Sequence, residues 1–301
     1  MEKTYRKKEK IKSLIIFSML FFLVLTALIS GRYGKRKYNV RRDLSVYFSN
    51  SDAVIQSVRN SLRKRSWRIV INYYSHGDNM EDIPALVRDI MDFAIDETES
   101  PEEGDYINYN YGGYELKYSF KQETDRNYYT ISVYPDYYTT KEQEIRVTEK
   151  IDEIISGFDK NLTDYEKVRA VYDYIKNRVQ FDGIHKNNPN HHIKSTSFGA
   201  LIYGQAVCQG YAVLMYRMLR ETGINSRVIT GMADDGEREF HAWNIACIDG
   251  VYYNIDITWD DQNGNEEYFL KSDEDFPMHI RDEKFSTRDF YEKYPMSDKS
   301  Y

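Results

Sequence analysis

The chain has 301 residues, of which 41% are hydrophobic and 15% aromatic, enough to build real cores in one large domain or two modest ones and too apolar for wholesale disorder. Its net charge of −7 is unevenly spread: residues 1–42 carry twelve Lys/Arg against two Glu and sum to +10, which leaves −17 on the remainder. A body so acidic repels phosphate backbones, so nucleic acid is not an expected partner.

After a basic tail (1–13), Leu14–Ile29 form an apolar run of 16 residues interrupted only by Ser18 and Thr26. At 1.5 Å per residue this reaches roughly 24 Å, and counting from Ile11 to Ser30, with Lys12 snorkelling outward, brings it to spanning length. No polar face exists for a water-facing core helix. A cleaved signal peptide is the alternative, but cleavage after Ser30 would leave Leu28 where a small residue is wanted. The expectation is therefore a membrane anchor over 14–30. Six Lys/Arg precede it and six closely follow, so the positive-inside rule gives a tie. A short, very basic tail ahead of the first apolar segment fits a signal-anchor with its body outside.

Residues 31–138 read as a small α/β domain. Strands are expected over 38–48 and 66–74 with a helix over 51–65 between them, then a helix over 79–97 that seats Pro84 in its first turn. "YELKYSF" (114–120) and "NYYTISVY" (127–134) alternate as strands, joined by the polar turn "KQETDR". Tyr106, Tyr109, Tyr111, Tyr114 and Tyr118 suggest a stacking platform for sugar or peptidoglycan, although tyrosine also simply favours strands.

Over 139–276 the texture turns helical. "KEQEIRVTEKIDEIISGF" has helical spacing and stops at Gly157. Thr163 and Glu166 form a capping box for a helix whose inner face is Val168, Val171, Tyr172 and Ile175. The loop "DGIHKNNPNHHIKSTS" holds His185, His191 and His192, which lack a spaced acidic or cysteine set for zinc. In "QAVCQGYAVLMYRMLRETG", Val207, Tyr211, Leu214, Met215, Met218 and Leu219 mark a buried helical face ending at Gly223. Cys208 then sits in the first turn, where unpaired N–H groups and the positive dipole end favour a thiolate; a plain buried cysteine fits the same position.

"EFHAWNIACIDGVYYNIDITWDD" reads as two alternating strands around Asp249-Gly250, a two-residue hairpin signal. Counting outward, Ile248 faces Val251 and Trp243 faces Asp256. His241 then shares a sheet face with Asp256, at a diagonal within reach of carboxylate and imidazole. Cys247, the only other cysteine, is six residues from His241 along that strand, about 20 Å. Cys208 cannot both pair with Cys247 and meet His241.

"AVCQGYA" followed by "HAWNIACIDGVYYNIDITWDD" resembles the transglutaminase-like superfamily, particularly its bacterial branch, over roughly 160–260. The resemblance implies an α+β, papain-like C-terminal domain with the cysteine at a helix N-terminus and the His and Asp on adjacent strands. It makes Cys208 the nucleophile, His241 the base and Asp256 the orienter of the imidazole. The family's oxyanion partner upstream of the cysteine has no evident counterpart; Gln205, Gln209 and Tyr203 are candidates, with the Cys208 backbone N–H as default donor. Trp243, Trp259 and Tyr211 are the candidate cleft walls. Such a site needs no cofactor or metal. It would form a thioester with a protein or cell-wall peptide carbonyl and pass the acyl group to an amine or to water. The alternative is an idle peptide-binding module. Residues 277–301 read as a C-terminal tail.

Overall fold

The computed structural model describes residues 44, 47–76, 82–123, 126–234, 236 and 238–301. The basic tail and the expected anchor over 14–30 lie outside these residues. Among the described residues no helix is long and apolar enough to cross a membrane. Of the strand expected over 38–48, Leu44, Tyr47 and Phe48 are described and form a turn instead. The N–H groups of Tyr47 and Phe48 both donate to the Leu44 carbonyl at 3.0 Å, the local bonding of a helical turn.

The chain is mixed α+β and divides into two compact units, neither of them contiguous. Of the described residues, one holds those up to Val58 and those within 66–92 and 112–136; the other holds Arg59–Arg65, Phe93–Tyr111 and those within 137–301. Helices and strands are numbered below in chain order. Helix α1 (Ser51–Arg63) begins in the first unit and ends in the second.

The first unit contains, but for a few end residues, strands β1 (Ile69–His76), β2 (Tyr111–Gln122) and β3 (Arg126–Tyr137) in the order β1-β3-β2, with helix α2 (Ile83–Ala94). Strand β1 runs antiparallel to β3, Ile69 opposite Val133 and Tyr73 opposite Tyr129. Its Ile69, Ile71 and Tyr73 are buried while Val70 and Tyr74 face out, the period-2 pattern of a half-covered sheet. The five tyrosines expected as a platform do not share a face. Tyr106 is 2% exposed and Tyr118 44% exposed, because Tyr106 lies in the short helix α3 (Asp105–Asn108) of the second unit and packs with Ala212, Val213 and Tyr216.

The second unit centres on an antiparallel sheet of order β8-β7-β6-β9: β6 (Ser226–Asp234), β7 (Arg238–Ile248), β8 (Val251–Ile255) and β9 (His279–Arg281). Helix α6 (Cys208–Glu221) packs across β6 and β7. Helix α4 (Lys141–Ser156) starts on a Thr140–Gln143 capping box, and α5 (Asp164–Lys176) on the one expected at Thr163 and Glu166. The α5 face Val168, Val171, Tyr172 and Ile175 joins Tyr211, Leu214, Met215, Met218 and Leu219 of α6 in the largest core cluster. A short parallel pair, β4 (Gln180–Phe181) and β5 (Gln205–Ala206), precedes α6.

Residues 277–301 are integral to this unit. They supply β9 and helix α8 (Arg288–Lys293), and they bury Phe285, Phe290 and Tyr294 with Ile229, Trp243 and Ile245. The early segment 93–111 is equally committed. Asp105 accepts from Arg227 Nε at 2.7 Å and Nη2 at 3.1 Å, and from the Val228 backbone N–H at 2.9 Å.

Candidate active site

Cys208 is the first residue of α6, following Val207, whose extended backbone caps the helix without a side-chain bond. The first N–H groups of such a helix have no intrahelical acceptor and point at whatever lies before it. Gly210 lets that first turn seat closely: a Cβ there would stand 2.7 Å from both the Lys194 carbonyl and the Ala206 Cβ. Cys208 therefore comes to rest beside the 182–197 loop. The loop is stapled by Lys194, whose buried ammonium donates to the carbonyls of His185, Lys186 and Asn188 at 2.7, 2.8 and 2.6 Å.

The hairpin is the one expected. Ile248 faces Val251, and the register continues to Asn244 opposite Ile255. Asp249 and Gly250 take φ of 52° and 88°, the left-handed pair of a type I′ turn. One detail differs. The second strand stops at Ile255, and "ITWDDQN" is a helix, α7 (Ile257–Asn263), not a strand. Asp256 is its N-cap and accepts from the N–H groups of Thr258 and Trp259 at 3.0 and 3.2 Å through Oδ1. Capping fixes the carboxylate more tightly than a strand position would, because one oxygen is saturated by backbone donors.

The other oxygen, Oδ2, meets His241 Nε2 at 2.7 Å. Nδ1 is the ring nitrogen this leaves for Cys208, which lines the same cleft as His241. Burial lowers the basicity of His241, but the Asp256 carboxylate and then Cys208 outweigh it and push the pKa up to about 10. Burial would raise Asp256, yet the His241 and His279 rings hold it well below the usual carboxylate range. The two shifts describe one buried ion pair.

Cys208, His241, Trp259 and Gln209 line a cleft of about 830 Å³ with Lys186, Lys194 and Thr258. Of the expected walls only Trp259 is in it. Trp243 is 1% exposed, its indole N–H donating to Asn254 Oδ1 at 3.2 Å, so it supports the site from the core. Tyr211 is also core, its hydroxyl donating to Asp261 at 2.8 Å. The oxyanion candidates fare similarly. Gln209 lines the cleft, but its amide nitrogen donates to the Tyr109 carbonyl at 2.8 Å and the Ser195 carbonyl at 3.4 Å. Gln205 is exposed in the β4–β5 pair, and Tyr203 is 61% exposed, its ring edge-on to Phe198. Neither lines the cleft.

Cys247 and Cys208 are both free thiols. Cys247 packs against the cluster around Trp243, and burial pushes its thiol up.

Two groups among the described residues bring possible cation ligands within 4.8 Å of one another: Asp182 with His185 and His191, and Asp256 with His241 and His279. Asp182 is the acidic partner that sequence spacing did not reveal. Its carboxylate accepts from the His185 backbone N–H at 3.0 Å and sits 2.9 Å from Nδ1, while the His185 and His191 rings stack at 4.0 Å. His192 stands apart, stacked on Tyr138 at 4.6 Å. His279 carried no sequence signal at all, lying in a three-residue strand after a polar stretch.

Residues 152–257 match the model of the transglutaminase-like superfamily. No curated protein matches the chain. Among solved structures, a candidate cysteine protease from Cytophaga hutchinsonii is similar at 18% identity over 48% of this chain and 62% of its own, with a TM-score of 0.31. A protein described as a TGase is 18% identical over 66% of this chain and 57% of its own, at 0.35. A candidate protease from Parabacteroides distasonis is 12% identical over 48% and 39%, at 0.25. The chain thus spans less than two thirds of the length of each, and likenesses this distant carry no argument about chemistry.

Proposed function

We propose that the chain, whose residues 152–257 match the transglutaminase-like superfamily, is a cysteine acyl-transfer enzyme with Cys208 as nucleophile, His241 as proton carrier and Asp256 as orienter. The observation that supports this most is the 2.7 Å bond from His241 Nε2 to Asp256 in a cleft that Cys208 also lines. Together with the cysteine-first helix packed on a sheet that bears the histidine, it supports the papain-like reading of the domain.

The Cys208 sulfur, its proton taken by His241 Nδ1, attacks a carboxamide or peptide carbonyl carbon. The carbonyl π electrons move to oxygen, which the Cys208 backbone N–H stabilises. The C–N bond then breaks, Nδ1 returns its proton to the leaving amine, and a thioester remains. An amine or water attacks that thioester, giving its proton to His241 as the sulfur departs. Throughout, Nε2–H stays on Asp256. Transfer to an amine makes a crosslink; transfer to water makes a protease or amidase. The acidic charge outside residues 1–42 favours basic or amine-bearing protein or cell-wall peptides as partners. The apolar run at 14–30 supports a membrane-held placement with the body outside, and proteinase added to intact protoplasts should then remove the domain.

Labelling tests the site itself. Iodoacetamide should modify Cys208 much faster than Cys247 at neutral pH, and chelators should leave any turnover unchanged. Equal labelling of the two thiols would overturn the assignment.

A further inference from the structure

Asp256 Oδ2 serves two histidines. His279 Nε2 lies 3.0 Å from the same oxygen that meets His241 at 2.7 Å. His279 reaches it from β9, whose backbone pairs with β6 at Met232–Ile280 and Ala233–His279. Its side chain has no exposed surface. Phe276 stacks on it at 3.8 Å, with Trp259 at 4.4 Å, Trp243 at 5.0 Å and Tyr268 at 5.8 Å. The other ring nitrogen, Nδ1, is buried with no hydrogen-bond partner.

These contacts dictate the tautomer. A carboxylate accepts, so Nε2 must carry the proton. A second proton on Nδ1 would be a charged donor buried without an acceptor, among aromatic rings and beside the His241 imidazolium, which is strongly unfavourable. The charged or titratable groups facing the ring are Asp256, His241 and the Tyr268 phenol, and of these Asp256 and His241 act on its charge. Burial lowers its basicity more than Asp256 restores it.

We propose that His279 is a positioning residue of the acyl-transfer site: a permanently neutral imidazole that fills the second acceptor position of Asp256 Oδ2, so that His241 receives only part of the carboxylate's pull and can release its proton to the leaving group. The proposal rests on the Cys208–His241–Asp256 reading above. It explains why one buried carboxylate is given four donors, two from backbone and two from rings. A carboxylate facing His241 alone would hold the imidazolium too firmly for efficient proton return.

The test compares His279→Gln, which keeps an N–H donor, with His279→Phe, which keeps the aromatic volume and removes it. The rate of Cys208 alkylation by iodoacetamide is followed from pH 5 to 11 on the full chain, with Cys247 as internal reference and circular dichroism as a check on folding. The alkaline rise, where His241 loses its proton, should move up by about half a pH unit or more in His279→Phe, a roughly threefold gain in the proton affinity of His241 once Asp256 no longer shares its charge with a second donor. His279→Gln should keep the wild-type profile. An unmoved or lowered limb in His279→Phe, or equal movement in both variants, overturns the proposal while leaving the reaction intact. A wild-type Cys208 no more reactive than Cys247 overturns the underlying reading instead. If His279→Phe does not fold, imidazole 15N spectra of the wild-type chain decide: His279 must keep its proton on Nε2 and gain no second one from pH 6 to 9, and a doubly protonated ring at pH 7 rules the proposal out.

Discussion

At the residue scale, Asp256 is more constrained than a carboxylate opposite a strand would be. Its N-cap bonds to Thr258 and Trp259 hold one oxygen, so Asp256→Asn keeps that cap and places an amide N–H or oxygen toward His241. In a serine triad the analogous change costs about 10⁴-fold, because the amide favours the wrong tautomer. A thiol is far more acidic than a serine hydroxyl and leans less on the orienter, so here the loss should be smaller, on the order of 10²-fold in turnover. The same variant carries a pH signature. His241 is raised to about 10 by its partners, so its contribution to stability is complete below its ordinary value near 6.5 and disappears as pH rises through about 10. Asp256 is lowered, so its contribution is present above the ordinary carboxylate range and disappears on acidification through its folded value. The melting temperature of Asp256→Asn should lie below that of the wild type near neutral pH, and the gap should narrow above pH 10. A gap that widens there contradicts the ion pair.

At the scale of elements, Gly231 does for β9 what Gly210 does for the first turn of α6. A Cβ at Gly231 would stand 2.0 Å from the Ile280 carbonyl, so β9 lies against β6 only because that position has no side chain. Gly231→Ala should displace β9, and His279 with it, at a cost of about 1–3 kcal/mol by denaturant unfolding. It should move the Cys208 alkylation profile as His279→Phe does; an unchanged profile would separate β9 from the site. The hairpin bearing His241 was legible in the sequence, because an alternating pattern around Asp249-Gly250 leaves one register for a two-residue turn. The switch from strand to helix after Ile255 was not, since "IDITWDD" keeps an apolar alternation and Asp256 reads equally well as a strand residue or a cap. The α6 start was legible from its apolar period, but burial of Tyr211 and Trp243 away from the cleft depends on how α6 lies across β6 and β7, which no local pattern encodes.

At the scale of the molecule, the unit bearing the site is assembled from three separated stretches. Charge placement shows what the early stretch contributes. Arg227, largely buried, finds Asp105 across 122 residues of sequence, and Asp105 also satisfies the Val228 N–H. Removing one partner of such a pair leaves an uncompensated charge, so Asp105→Ala should destabilise the fold by about 3–5 kcal/mol in chemical unfolding. A chain beginning at residue 139 should likewise fail to fold cooperatively, although 139–276 is the contiguous stretch the sequence pattern suggests as a domain. Cooperative unfolding of that shorter chain, with Cys208 still selectively alkylated, would show the early stretch to be dispensable. Long-range pairings of this kind leave no periodic trace, which is why "GDYINYN" read as possible platform tyrosines rather than as part of the core beneath α6.

The central claim is that Cys208 forms a thioester with a carboxamide or peptide carbonyl. It is tested most directly by incubating the full chain with a glutamine-containing peptide whose carboxamide is replaced by a thiol-reactive electrophile, then mapping the adduct by mass. The account predicts a single peptide-length addition on Cys208, lost in Cys208→Ala and strongly reduced in His241→Ala, with Cys247 unmodified. Modification of Cys247 at the same rate, or an undiminished adduct in His241→Ala, would contradict it.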